Sequence, residues 1–158
     1  MKSDKKIEIY LSNFKAVNSI DEYIQIDVKR ISNSKKYLAE NWKQILQIQK
    51  CKCHYCDIDI RLLQQLIING QIGLRKRESY GHSGMHFEIE HLDSNSKNNS
   101  RTNLVACCYY CNNDKSNTID SKIFKEYFGK QKHIAFQKLA LDKEVKMSNY
   151  YRHNFHKK

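Results

Sequence analysis

Two pairs of cysteines have the spacing of metal ligands. Cys53-x-x-Cys56 and Cys108-x-x-Cys111 each leave two residues between their thiols. This spacing allows both sulfurs of a pair to face one ion at Zn–S distances of about 2.3 Å, and two such pairs complete a tetrahedron. A closed four-thiolate site leaves no open position for chemistry, so we predict a structural zinc ion with these four ligands.

The chain has six cysteines, and three disulfides in an exported protein are the alternative to a metal site. Chance pairing in a stretch rich in Lys and Cys is a second alternative. The repeated two-residue gap favours the metal site. We interpret Cys51 and Cys107, which lie beside the two pairs, as additional buried thiols.

Glu90 and His91 are adjacent and precede a polar run, Asp93 to Ser100. A carboxylate can bind a hard cation, and an imidazole titrates near neutrality and can act as a base. Neighbours on a regular strand point to opposite sides, so the chain must bend here for both side chains to serve one site. An ordinary surface loop with an exposed histidine is the alternative, and Asp93 is the strongest alternative metal ligand.

A longer pattern surrounds this pair. Glu90-His91 is followed by Asn103-Leu104-Val105 and then by a Cys-x-x-Cys-Asn-x-x-Lys string, Cys108 to Lys115. Together with the earlier cysteine pair, this order resembles the HNH endonuclease family and its ββα-metal fold, over residues 53 to 115. The Pro and Gly that usually follow the acid-His pair are absent here, and Asn112 stands in place of a histidine.

The resemblance implies a role for each matching residue. His91 would be the general base that takes a proton from the attacking water. Glu90 and Asn112 would supply oxygen ligands to one divalent ion, Mg²⁺ or Mn²⁺, and Asn103 would hold the hairpin and orient His91. The reaction implied is hydrolysis of DNA phosphodiester bonds that leaves 5′-phosphate and 3′-hydroxyl ends.

The chain has a formal net charge of +11, which favours an anionic partner such as double-stranded DNA. Most of that charge lies before residue 51 and after residue 114, on both sides of a segment in which acids and bases balance. Lys115, Arg101 and Lys122 are candidate phosphate contacts, and solvated surface charge is the alternative for each.

The predicted fold class is α+β, an HNH-type ββα-metal core stapled by zinc and flanked by helices. We expect a basic helical extension over 1–50, the nuclease core over 51–118 and a basic helical extension over 119–158, in one compact domain. Hydrophobic periodicity predicts a helix over 34–50 with Ser34 as its N-cap and Tyr37 on its packing face. Further predicted elements are a helix over 57–69 ending at Gly70, a strand around 86–91 with a hairpin partner at 74–79, a strand over 103–108, a helix starting near Asn112, and helices over 120–129 and 133–147.

No apolar run reaches the roughly 18 residues of a membrane span, and no leader is apparent, so we expect a soluble cytoplasmic protein. The predicted function is a divalent-metal-dependent DNA endonuclease, in restriction, phage defence or a mobile element. One alternative is a zinc-stapled nucleic-acid-binding module without catalysis, and another is an RNA-directed nuclease or toxin with the same site. A single site is expected to nick DNA, so double-strand cutting would imply a homodimer or a partner protein.

Overall fold

The computed structural model describes residues 15–77 and 81–146. The start of the predicted N-terminal extension and the end of the predicted C-terminal extension therefore lie outside the described residues. The helices are α1 (Ile20–Lys35), α2 (Ala39–Ile48), α3 (Ile60–Ile68), α4 (Tyr109–Lys115), α5 (Ser121–Ile123) and α6 (Lys130–Leu141). The strands are β1 (Arg75–Arg77), β2 (Gly81–Ser83), β3 (Glu88–His91) and β4 (Leu104–Cys107). The predicted α+β class is confirmed.

Strands β3 and β4 form an antiparallel hairpin, in which Glu88 faces Cys107 and His91 faces Leu104. Helix α4 begins two residues after β4 and contacts β3. The observed order is therefore strand, loop, strand and helix. The predicted start of this helix near Asn112 is wrong, because Cys108 already acts as the N-cap.

The predicted hairpin partner of β3 is also wrong. Residues 75–77 pair with residues 81–83 in a separate two-stranded sheet, and β3 pairs with β4 instead. Ladder hydrogen bonds and buried side chains explain this choice, since all four residues of β4 are buried and a strand buried in this way requires a partner.

Helices α1 and α2 are fastened to the segment before β3 by the buried carboxylate of Asp27. Trp42 Nε1 donates to Asp27 at 2.8 Å, Arg30 Nε donates at 2.6 Å, and His86 Nδ1 lies 2.9 Å away. Burial of Asp27 on its own would raise its pKa, but the hydrogen bonds from His86 and Arg30 bring the pKa below its ordinary value. The N-terminal helices are therefore joined to the segment before β3 by a buried polar network.

The helix predicted over 34–50 begins later than expected. Ser34 lies inside α1, where its Oγ donates to the carbonyl of Ile31 at 3.3 Å, and a 3₁₀ turn (Lys36–Leu38) separates α1 from α2. Tyr37 is 71% exposed, so its placement on the packing face is wrong. The rest of that face is buried as predicted, at Leu38, Trp42, Ile45 and Leu46.

Helix α3 begins one turn later than predicted, with Asp59 as its N-cap, and Gly70 follows it at φ +70°, the left-handed conformation that favours glycine.

The C-terminal helix continues through the glycine where a stop was predicted. A π-helical segment (Phe124–Gly129) joins α5 to α6. A Cβ on Gly129 would lie 2.2 Å from the carbonyl oxygen of Tyr55. Gly129 is therefore needed for close backbone approach, and the helix packs directly on the segment between Cys53 and Cys56.

One apolar core draws residues from all three predicted segments, from Val17 in the first to Phe136 in the last. Among the described residues, no helix has the length and apolar character needed to cross a membrane.

Candidate metal centre and neighbouring polar site

The four predicted cysteine ligands come together. The Sγ atoms of Cys53, Cys56, Cys108 and Cys111 all lie within 4.8 Å of one another, and all four residues are buried. A tetrahedron with Zn–S bonds of about 2.3 Å has S–S edges of about 3.8 Å. The Cys56 and Cys108 sulfurs are 3.8 Å apart, so the predicted grouping is confirmed and its spacing suits a zinc ion.

The first pair sits in a tight turn after α2. The amide of Cys53 donates to Ile58 O at 3.0 Å, and Asp57 completes the turn with φ 56°. The amide of His54 donates to Ala106 O at 2.9 Å, which ties the turn to β4. These backbone hydrogen bonds therefore place the first pair beside β4, which leads directly into the second pair.

The second pair sits at the start of α4. Cys108 is the N-cap of the helix, and its sulfur accepts from the amide of Cys111 at 3.5 Å. The amide of Cys108 donates to Cys53 Sγ at 3.3 Å, from one pair to the other. Amide donors at a helix start favour the negative charge that thiolate ligands carry.

The thiols differ in their environments. Burial of Cys53 on its own would raise its pKa, but hydrogen bonds from Cys107, Cys108 and Cys111 hold the pKa of Cys53 well below its ordinary value. Burial raises the pKa of Cys51, which lies outside the cluster, to about 12. The cluster therefore favours one thiolate, at Cys53. The hydrogen bond from Cys111 on its own would lower the pKa of Cys108, but contacts with Cys53 and Cys56 and burial raise it, and hydrogen bonds to the other three sulfurs raise the pKa of Cys111.

Cys51 and Cys107 are fully buried free thiols outside the group of four, as predicted. The thiol of Cys107 donates to the carbonyl of Cys108 at 3.3 Å. The thiol of Cys51 donates to the carbonyl of Leu46 at 3.8 Å, so both residues are buried hydrogen-bond donors next to the cluster.

The far end of α4 faces a row of carboxylates on β3. Glu88 and Glu90 lie on the same side of the strand, because side chains alternate along it. The Asn112 side-chain amide donates to Glu88 Oε2, and Lys115 Nζ lies 2.8 Å from Glu90 Oε1. The resemblance paired Asn112 with Glu90, whereas the contact observed for Asn112 is with Glu88.

Glu88 is the residue that the sequence analysis missed. Side chains alternate along β3, so Glu88 lies beside Glu90 on the same face of the strand. This alternation could have predicted from the sequence that Glu88 belongs to the site. The polar set between strand and helix is therefore Glu88, Glu90, Asn112 and Lys115.

Lys115 does not have the surface position expected of a phosphate contact. Its side chain is fully buried, and its ammonium group lies between Glu90 and the carbonyl of Ser116, 3.2 Å away. A lysine is rarely buried unless it is paired, and this ion pair explains its position. Burial and this ion pair weaken the case for Lys115 as a phosphate contact, which stays a prediction.

His91 is the last residue of β3, and the chain turns directly after it through the hydrogen bond from Ser94 N to His91 O at 3.0 Å. The ring is half-buried, and Nε2 lies 3.0 Å from Asn99 Oδ1. An amide oxygen accepts a hydrogen bond, so this contact favours the tautomer in which Nε2 carries the proton and Nδ1 carries the lone pair.

The loop between the strands is organised by Asn103. Its Nδ2 donates to Asp93 Oδ1 at 2.9 Å and to Asn98 O at 2.8 Å, and its Oδ1 accepts from the amide of Asp93 at 3.1 Å. Hydrogen bonds from Asn98, Asn95 and Asn103 lower the pKa of Asp93. Asp93 is thus engaged in holding the loop, which weakens the case for it as a metal ligand.

Arg101 is half-buried in a 3₁₀ turn (Arg101–Asn103), and Lys122 is exposed in α5. Asp120 caps this helix by accepting from the amide of Lys122 at 2.9 Å. Helix α5 starts next to the hairpin, because Ser121 Oγ donates to Leu92 O at 2.8 Å. Phosphate contact by Arg101 and Lys122 stays a prediction.

In the described part of the chain, the four cysteines are the only group of three or more Cys, His, Asp or Glu side chains whose ligand atoms lie close enough to share an ion. Comparison with protein-family models, with curated proteins and with solved structures returns no match to this chain.

Proposed function

We propose that this protein is a divalent-metal-dependent endonuclease that hydrolyses DNA phosphodiester bonds. The observation that supports it most is the contact between Asn112, on the helix, and Glu88, on the strand that also carries Glu90 and His91. The hairpin and helix arrangement agrees with the ββα order that the sequence resemblance implies. A structural zinc ion at the start of the same helix would hold the two sides together.

His91 is the proposed general base. With Nε2–H donated to Asn99, the Nδ1 lone pair can take a proton from a water that attacks phosphorus. Asn103 positions this region by fixing the loop that carries Asn99. The products would carry 5′-phosphate and 3′-hydroxyl ends.

Glu88, Glu90 and Asn112 are the proposed ligands of Mg²⁺ or Mn²⁺, because carboxylate and amide oxygens are the donors that hard cations prefer. When bound, the ion would neutralise charge on the phosphate and on the leaving 3′ oxygen. We propose double-stranded DNA as the substrate because the chain carries a net charge of +11, with Arg101 and Lys122 as phosphate contacts. Restriction, phage defence or a mobile element is the proposed context.

Plasmid cleavage tests this proposal. The zinc-loaded protein is expected to nick supercoiled plasmid in Mg²⁺ or Mn²⁺, and His91→Ala is expected to lower the rate by at least about 100-fold. His54→Ala is the matched control, because the ring of His54 makes no hydrogen bond within the described residues, and it is expected to cut at the wild-type rate. Equal cleavage by wild type and His91→Ala would exclude His91 as the base.

A non-catalytic zinc-stapled nucleic-acid-binding module is the second candidate. The specific observation in its favour is the Lys115–Glu90 ion pair, which gives Glu90 a role in packing that needs no cation. Tight duplex binding without strand cleavage in any divalent ion would favour this module.

A further inference from the structure

Lys115 is unusual because a full positive charge lies at the centre of the polar site. Its side chain is fully buried, whereas Glu90 is 10% exposed. The ammonium group contacts Glu90 Oε1 at 2.8 Å and Ser116 O at 3.2 Å. Both of these groups accept, so the lysine is held as a fixed cation at this position.

Glu90 makes its described contacts through one oxygen. Lys115 Nζ and Tyr55 OH both lie beside Oε1, at 2.8 and 3.4 Å. Tyr55 OH is also 3.1 Å from Ser121 Oγ, the shorter of its two contacts. Lys115 is therefore the stronger partner of Oε1. Among the residues that the structure describes, Oε2 has no hydrogen-bond or ion-pair partner, so it is the oxygen that can face a ligand.

We propose that Lys115 is a positioning residue and built-in counter-ion that makes binding of a divalent cation at Glu90 depend on a phosphodiester. This inference rests on the proposed function, because it assumes that Glu90 Oε2 is a cation ligand. Lys115 orients the carboxylate by holding Oε1. Its positive charge also repels any cation that binds on the Oε2 side.

The charges of the site explain the dependence on phosphate. Glu88, Glu90 and Lys115 together carry one formal negative charge, which only half neutralises a divalent cation. A phosphodiester brings one further negative charge, so cation and substrate are expected to bind together with positive coupling. Without Lys115, the two carboxylates alone would balance the cation, and binding would no longer require the substrate.

Titration of the zinc-loaded full chain with Mn²⁺, followed by the electron paramagnetic resonance of free Mn²⁺, tests this without any cleavage. In the absence of DNA, Lys115→Met is expected to bind Mn²⁺ at least about tenfold more tightly than wild type. Lys132→Met is the matched control, since Lys132 of α6 pairs with Asp114, the half-exposed neighbour of Lys115 on α4. The control is expected to leave the affinity within about twofold. Unchanged or weaker Mn²⁺ binding by Lys115→Met would overturn the proposal.

A second measurement applies if Lys115→Met does not fold. His91→Ala, which retains every proposed cation ligand and blocks the proposed cleavage, is titrated with Mn²⁺ with and without a short DNA duplex. The Mn²⁺ bound by the duplex alone is subtracted. We then expect the duplex to raise the affinity of the protein for Mn²⁺ by about tenfold. Absence of this gain would overturn the proposal. Coupling without cleavage by wild type would contradict the nuclease and leave the role of Lys115 intact, whereas cleavage without coupling would contradict only the role of Lys115.

Discussion

The two ends of α4 differ in the partners that the protein provides for their ionisable side chains. At the start of the helix, four buried sulfurs cluster together within 4.8 Å of one another. At its end, Glu90 is paired with Lys115 and Glu88 accepts from Asn112. The thiol end therefore suits an ion held by four sulfurs, whereas each carboxylate at the other end already has a protein partner on one of its oxygens.

This difference implies that the two ions would have different roles. A cation at the thiol end would contribute to folding, because thiolates in a buried cluster repel each other without one. A cation at the carboxylate end would have to displace or share existing contacts, so its binding can depend on substrate. One seven-residue helix thus connects a stability site to a proposed reaction site.

The largest effect is expected at the thiol end. Cys111→Ala removes one of four ligands, and structural zinc contributes on the order of 10 kcal/mol to the folding of small domains. The variant is expected to lose bound zinc and cooperative unfolding. Zinc content per chain and thermal unfolding monitored by circular dichroism measure the two losses.

Cys107→Ala is the matched control for the thiol end, because Cys107 is equally buried and lies outside the group of four. It is expected to retain zinc and to unfold cooperatively. If both variants lose zinc equally, Cys107 is a ligand and the assignment of the four cysteines is wrong.

A smaller effect is expected at the carboxylate end. Glu90→Gln leaves the Lys115 ammonium buried without an anionic partner, which is expected to lower the free energy of unfolding by about 3–5 kcal/mol. Zinc content is expected to stay unchanged, and adding Lys115→Met is expected to recover most of the loss, because an apolar side chain needs no counter-charge. Urea denaturation of the single and double variants measures both.

Glu126→Gln supplies the comparison for that variant. Glu126 pairs with Lys130 on the helix surface, with both side chains more than half exposed. Its loss is expected to cost about 0.5 kcal/mol or less. Equal losses in Glu90→Gln and Glu126→Gln would mean that the Lys115–Glu90 pair behaves as a surface pair, and the contrast between the two ends of α4 would fail.

The thiol end could be predicted from the sequence because its information is local. Each Cys-x-x-Cys spacing is a property of four consecutive residues, and the ligand chemistry of thiols then requires the two pairs to meet. The strands around Glu90 and Cys107 were also predictable, since alternation and apolar runs are local patterns.

The carboxylate end could not be predicted in the same way. Whether Lys115 meets solvent or Glu90 depends on the angle between α4 and β3, and residue spacing carries no information on that angle. The same applies to Gly129, whose role is set by contact with Tyr55, 74 positions earlier in the chain. Glu88 was missed for a different reason, since its position beside Glu90 follows from alternation but its contact with Asn112 does not.

Among the variants of the proposed sites, the smallest effect on stability is expected at Asn99, which lies in the loop between the two strands. Asn99→Ala removes the contact to His91 Nε2, and one hydrogen bond of this kind contributes about 1 kcal/mol or less. The cleavage rate is expected to fall by about tenfold with KM unchanged, because the ring loses its preferred tautomer and orientation while substrate binding is untouched. Asn95 lies in the same loop, and among the described residues its side chain bonds only to the amide of Lys97. Asn95→Ala is therefore expected to cut within about twofold of wild type. A rate loss in Asn95→Ala equal to that in Asn99→Ala would show that loop rigidity, and not the Asn99–His91 contact, supports the reaction.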